Sequence, residues 1–269
     1  MSGLTEPVRG LASGLVSGLV STTAAVLDAT AAQVIPVPRC LAPCIATMWL
    51  VDLRAGQRVH ALPDGTVDIV GVIKPGQPPR WVVSGPLHRF ASYSHACAVR
   101  LVGASLQPGA ACLLGVGARD LSSKWQPIED LGLPEGRGLT LASGVDMVTA
   151  LTEFVEARAR RAHFDAKVAQ AVAALRVRAG SGRVRDLARD LRVSERTLVR
   201  LFDRHVGLSP KGFARIVRFQ HALMHCRRIH AHGLADLAAK CGYADQAHLT
   251  REFSALAGIA PAALQRLLL

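Results

Sequence analysis

No two of the six cysteines in this 269-residue chain stand in a C-x-x-C arrangement. A zinc framework and a thioredoxin-like redox pair both rely on that close spacing, so neither is expected. Cys40, Cys44, Cys97, Cys112, Cys226 and Cys241 sit mostly beside apolar residues, as small buried hydrophobes do in a reduced, cytoplasmic protein. The H-x-E…P-C-x-x-C signature of zinc-dependent base deaminases is missing too. The second half of the chain has no apolar run long enough to span a bilayer. The first 154 residues lack net charge altogether, with 11 Lys and Arg against 11 Asp and Glu.

The charge that exists is therefore concentrated. From Val155 to Leu269 there are 21 basic residues against 9 acidic ones, which is the whole net charge of +12. A segregated positive field favours a polyanion, through phosphate neutralisation and counterion release, over a small acidic substrate. Nucleic acid is the leading partner on this ground, with an anionic membrane surface second. The length suits two domains, each able to bury its own core.

The texture changes along the chain in the same places. Gly10 to Leu27 is uncharged, and Ala29-Thr30-Ala31 resembles a small-residue cleavage site. Interrupting glycines and a mixed Glu6/Arg9 leader weaken the signal-peptide reading, so residues 1–36 are expected to form a weakly ordered extension. Residues 37–140 alternate short β-branched runs ("VDIVGVI", "RWVVSG", "AVRLVGASL") with Gly/Pro turns, the pattern of a mainly β domain. Residues 141–164 read as a helical linker, with a break near Ala162 to Asp165, and residues 165–269 as all helix and short turns. The fold class expected is α+β, multidomain.

The helical part says nearly the same thing twice. Leu187-Ala188 repeats as Leu237-Ala238, Leu198-x-Arg200-x-Phe202 as Leu249-x-Arg251-x-Phe253, and Gly207-x-x-Pro210 as Gly258-x-x-Pro261. The offset is 50 residues before the internal turn and 51 after it, so the insertion falls in "DLRVS" against "KCGYAD", where a turn absorbs it. Each copy reads as helix, tight turn, helix, with Ser194 and Asp245 as N-caps and Gly207 and Gly258 as stops. Ser209-Pro210 supplies a cap and first residue for the next helix, which Ala260-Pro261 does not match. At 100° per residue, Leu198 and Phe202 share one helix face while Arg196 and Arg200 project roughly 160° away from Leu198. Copy two repeats this with Leu249 and Phe253 packed and Arg251 and Ala247 outward. A helix anchored on one face and presenting arginine on the other is suited to a DNA major groove.

On these residues, "LA…VSERTLVRLF…GLSP" followed by "LADLAAKCGYADQAHLTREF…GIAP" resembles the paired helix-turn-helix domain of AraC/XylS-type transcription regulators, over roughly residues 165–265. The resemblance implies two recognition helices entering successive major grooves, held by a linker helix across Lys211 to Ile229. Its 19 residues span about 28 Å, close to the roughly 34 Å of one DNA turn once packing offset is added. It also implies base-facing positions: Glu195, Arg196, Val199 and Arg200 on the first helix, and Gln246, Ala247, His248, Thr250 and Arg251 on the second. Arg pairs bidentately with guanine, Gln with adenine, and Val or Ala touches a thymine methyl. Arg185, Arg189, Arg204, Lys211, Arg215 and Arg218 are candidates for phosphate contacts.

The first domain resembles, more loosely, the β-rich N-terminal domains of AraC-type regulators of unassigned ligand, through "VPRCLAPCIATMW", "ALPDGTVDIV" and "PIEDLG". By that analogy it is a sensor, cupin-like in fold, with promoter DNA, RNA polymerase, a small-molecule effector and a second copy of the chain as the implied partners. No cofactor or metal is expected. His60, Asp64 and Asp68 invite a catalytic or metal reading, but "LPDG" is an ordinary turn; Cys40 and Cys44 read as packing. His221, His225, Cys226, His230 and His232 have ligand-type spacing along the linker helix and read as its exposed face and end. A repair enzyme borrowing the same DNA-binding domain is the alternative, and it would need an activated thiol that the cysteine spacing does not provide.

Overall fold

In the computed structural model, residues 33–121, 125–141, 147–226, 233–261 and 263 are described. The first domain contains strands β1 (Gln33–Ile35), β2 (Ile45–Leu53), β3 (Arg58–Ala61), β4 (Val67–Ile73), β5 (Arg80–Ser84), β6 (Ala91–Ser94), β7 (Val99–Leu106) and β8 (Trp125–Pro127). Six of them form an antiparallel sheet in the order β1-β2-β7-β4-β5-β8, and β3 pairs with β6 in a separate two-stranded ribbon. The sheet starts inside the stretch expected to be extension, because Val34 and Ile35 pair with Trp49 and Met48. The rest of that stretch, residues 1–32, lies outside the described residues.

Alternation along the strands makes the sheet two-faced. Met48, Ile69, Trp81, Val83, Val102, Ala104 and Leu106 form one apolar face; Trp49, Val51, Leu53, Val70, Val99 and Leu101 form the other. The first face is covered by short helices α1 (Ala118–Leu121) and α2 (Gly136–Leu141) and by the longer α3 (Met147–Ala159). Here the linker expectation needs correcting. Met147, Leu151, Phe154 and Val155 are buried against the sheet, so α3 closes the first domain's core and does not simply connect two units. Arg158 adds hydrogen bonds to the Leu113 carbonyl (2.6 Å) and to Glu135 (3.3 Å). The chain does break where expected, between α3 and α4 (Ala166–Val177), whose cap is the Asp165 carboxylate accepting from the Lys167 and Val168 amides. Among the described residues the large sheet does not close into a cupin-like barrel, and the β3–β6 ribbon crosses its second face.

The second domain consists of α4, α5 (Val184–Asp190), α6 (Glu195–His205), α7 (Pro210–Cys226), α8 (Leu234–Lys240) and α9 (Gln246–Ala257). Residues 227–229, expected to finish the linker helix, and His230 and His232 lie outside the described residues. The two domains are docked. Leu62, from the first domain, is buried within the helical core, and the Pro63 carbonyl accepts from Gln220 Nε2 on α7. The Phe90 amide donates to the Leu256 carbonyl (2.9 Å), Arg119 pairs with Asp203 (2.9 Å), and Arg176 donates to Gln107 Oε1 (2.9 Å).

Candidate nucleic-acid interface

The first helix-turn-helix is α5, a turn containing Arg192 at φ 54°, and α6. Ser194 Oγ accepts from the Thr197 amide (3.0 Å), fixing the start of α6. Leu198 and Phe202 are fully buried against Leu187 and Ala188 of α5, so their face of α6 cannot turn outward. Glu195, Arg196, Val199 and Arg200 are exposed, Val199 with 44% of its surface. An exposed valine between two exposed arginines is an apolar contact in a cationic setting, as a thymine methyl beside phosphates would require. Docking of the first domain reaches the last turn of α6 through Asp203, and the residues just after it through Gly207 packed on Pro86 and Ala118. The turns that carry the candidate readers are left open.

The second unit is α8, a turn with Gly242 at φ 72°, and α9. Asp245 Oδ1 accepts from the His248 amide (2.6 Å), and Leu249 and Phe253 are fully buried. Gln246, Ala247 and Arg251 are exposed. His248 and Thr250 are half-buried and have local duties: His248 Nδ1 accepts from the Ala244 amide and its ring meets Tyr243 edge-on, while Thr250 Oγ1 donates to the Gln246 carbonyl. Among the described residues, Arg196, Arg200 and Arg251 make no ion pair, so their guanidinium groups are unspent.

Helix α7 ties the two units together. Phe213 meets Phe202 of the first unit edge-on (5.9 Å between ring centres), and Phe219 meets Phe253 of the second (5.0 Å). Six residues along a helix is about 9 Å, so one rigid rod holds both recognition helices by aromatic contacts a short way apart. Ser209 caps α7 by accepting from the Gly212 amide (3.0 Å), as the Ser-Pro pair implies. Two of the phosphate candidates work in this joint. Arg215 Nε donates to Glu252 on α9, and Arg218 donates to the Gly180 carbonyl (2.8 Å) while lying 5.8 Å from the Tyr243 ring centre. Arg189 is exposed but paired with Asp186 one turn earlier (3.0 Å); Arg185, Arg204 and Lys211 are exposed. Arg183 and Arg192 are further exposed cations, at the two ends of α5, which a search confined to helix faces overlooks. His221 and His225 bring their Nε2 atoms within 3.1 Å, but no group of three metal-type side chains occurs among the described residues.

Residues 187–267 match the family model of a helix-turn-helix domain, and residues 33–124 match that of a domain of unknown function, DUF6597. The helix-turn-helix match therefore takes in both helix-turn-helix units, from Leu187 in α5 onward, and the α7 rod between them. No curated relative matches the sequence. Among solved structures, ToxT from Vibrio cholerae aligns at 9% identity and a TM-score of 0.46, over 82% of this chain and 97% of that one. ToxT bound to (E)-4-(8-methylnaphthalen-1-yl)but-3-enoic acid aligns at 10% identity and a TM-score of 0.46, over 82% and 98%. No helix among the described residues is long and apolar enough to cross a membrane.

Proposed function

We propose that this chain is an AraC-type transcription regulator that reads DNA sequence with both recognition helices, α6 and α9, set into successive major grooves on one face of the duplex. The observation that carries this is the doubled geometry: two capped helices, each buried on a Leu/Phe face and each presenting unpaired arginine, clamped to one rod. Arg200 and Arg251 are the principal base readers, with Glu195, Arg196, Val199, Gln246 and Ala247 setting the flanking preferences. His248 and Thr250 act mainly by shaping the start of α9. Arg185, Arg189, Arg204 and Lys211 position the domain on phosphates, while Arg215 and Arg218 hold the units in register. The +12 charge supplies nonspecific attraction, and specificity comes from the two helices. The docked β domain modulates the reading, because it holds α6 and α7 through Asp203, Phe213 and Gln220.

The test is selection of the purified protein against a random-sequence DNA pool at about 150 mM salt, where nonspecific attraction is damped. Two enriched base clusters about 10 bp apart are expected. Failure to enrich any sequence, with binding that only tracks salt, would replace this reading with nonspecific DNA coating.

A further inference from the structure

Among the described residues, the second face of the large sheet is covered by a ribbon and not by a helix, and a cavity of about 250 Å³ lies between them. It is lined by Trp49, Val70 and Leu101 of the sheet, by Tyr93 of the ribbon and by the half-exposed Trp125 at the β8 edge of the sheet. The Trp49 indole lies flat across Gly103, where a Cβ would fall 2.2 Å from the ring, so a bare glycine is what opens the sheet side to an aromatic face. Tyr93 and Trp125 meet edge-on at 4.9 Å, and Trp125 Nε1 donates to the Tyr93 hydroxyl (2.8 Å). The cavity is thus an aromatic chamber, with its walls cross-braced.

Its polar groups are few. Ser84 donates weakly to the Gly85 carbonyl, and burial and Lys74 lower the basicity of His95. Among the described residues, Asp68 is the one acidic side chain in the lining, and no lysine or arginine lines it. Ser105 Oγ, which itself accepts from Trp49 Nε1 (3.3 Å), donates to the Asp68 carboxylate. No cation among the described residues pairs with Asp68. Its neighbour is another carboxylate, Asp64, bridged through Thr66 Oγ1, which donates to Asp64 (2.8 Å) and lies 3.4 Å from Asp68. Burial raises the pKa of both; the Arg176 guanidinium acts electrostatically on Asp64, which leaves Asp68 as the member of the pair without a cation beside it among the described residues.

We infer that the chamber binds a small organic ammonium ion with an apolar, aromatic-sized body, its charge on Asp68 and its cationic face toward Trp49, Tyr93 and Trp125. A buried unpaired carboxylate attracts a cation, and indole and phenol faces add to that attraction. An anionic ligand meets the Asp68 carboxylate and the indole and phenol faces, with no lysine or arginine among the described lining residues to receive it. A neutral one gains no charge pairing at Asp68.

The site also has a route to the DNA-binding domain. Asp64 and Thr66 belong to the loop from Leu62 to Thr66, whose Leu62, Pro63 and Gly65 dock on the helical core, Gln220 and Phe213. A cation at Asp68 changes the charge and hydrogen bonding of that loop and so its grip on α7. This effector role rests on the DNA-reading proposal above; occupancy of the chamber does not.

The test therefore begins without DNA. Phenethylamine, phenethyl alcohol and phenylacetate are titrated into the full chain, read by tryptophan fluorescence and calorimetry. Phenethylamine should bind at least tenfold tighter than the alcohol, with phenylacetate weakest. Asp68→Asn keeps an acceptor for Ser105 and should erase the amine's advantage, while Trp125→Ala, at the half-exposed edge, should weaken the amine severalfold with the fold intact by circular dichroism. Equal binding of amine and alcohol, preference for phenylacetate, or an amine preference surviving Asp68→Asn overturns the site. With a selected operator in hand, saturating amine should shift DNA affinity at least threefold. An unchanged affinity overturns the coupling and leaves the site standing.

Discussion

The clamp between the two domains makes a sharp prediction at Gly65. Its φ of +80° is a backbone conformation that an L side chain adopts only under strain, and a methyl group there would fall 2.6 Å from the Phe213 ring. Phe213 cannot retreat, being fully buried and packed on Phe202. Gly56 is the internal control: its φ is +72°, but nothing lies within 4 Å of an added methyl. Gly56→Ala should cost only the left-handed backbone strain, about 1–2 kcal/mol. Gly65→Ala adds overpacking of about 1–3 kcal/mol, for roughly 2–5 kcal/mol in all. All three tryptophans (Trp49, Trp81, Trp125) lie in the first domain, whereas α4 to α9 dominate the helical signal, so urea unfolding followed by fluorescence and by far-UV circular dichroism reads the domains separately. In the parent protein the two transitions should coincide; in Gly65→Ala they should separate, because the docked loop is forced off α7. If Gly65→Ala unfolds like Gly56→Ala, with the transitions still coincident, the loop does not clamp the helical domain and the proposed route from chamber to DNA fails.

Arg200→Ala and Arg251→Ala should each relax base preference in one half-site by about 1–3 kcal/mol, leaving melting within about 0.5 kcal/mol of the parent, as seen by competition binding with point-substituted operators. Phe253→Ala should cost about 3–5 kcal/mol, with early loss of amide protection in α8 and α9, because it removes the contact with Phe219. Asp64 and Asp68 hold protons more tightly folded than unfolded, burial being the main cause. Stability should therefore fall as pH rises from the ordinary carboxylate range near 4 through the raised folded values, with the unfolded chain releasing its protons first. Asp64→Asn keeps the acceptor for Thr66, so melting curves from pH 5 to 8 should flatten and the variant should gain stability at the upper end.

The second domain was legible because its signals are local and doubled. Caps at Ser194 and Asp245, stops at Gly207 and Gly258, and the Leu/Phe spacing all act within a few residues, and repetition separated them from chance. What the exposed cations do was less legible. Arg215 and Arg218 look like any surface arginine in one dimension, and only the packing of α9 and Gly180 beside α7 gives them partners. In the first domain the alternation of Val, Ile and Trp announced strands, but alternation alone does not say what covers each face. Helix α3 passed for a linker because its apolar residues meet sheet partners 40 and more positions distant, such as Gly71 against Met147. Asp68 looked like an interruption of an apolar run; strand parity places it on the chamber side, with Trp49 and Leu101.

The account's central claim is that one chain reads two grooves through a rigid rod, and helical phasing of the operator tests it most directly. With the selected operator, insertion of about 5 bp between the two half-sites puts them on opposite faces, and insertion of about 10 bp restores the face while moving the second half-site one turn farther away. The account predicts that both insertions cost the contribution of one half-site, because α7 spans only about 26 Å over its 17 residues. Undiminished affinity for either spaced operator would contradict it, since the two recognition helices would then not be reading as one fixed unit.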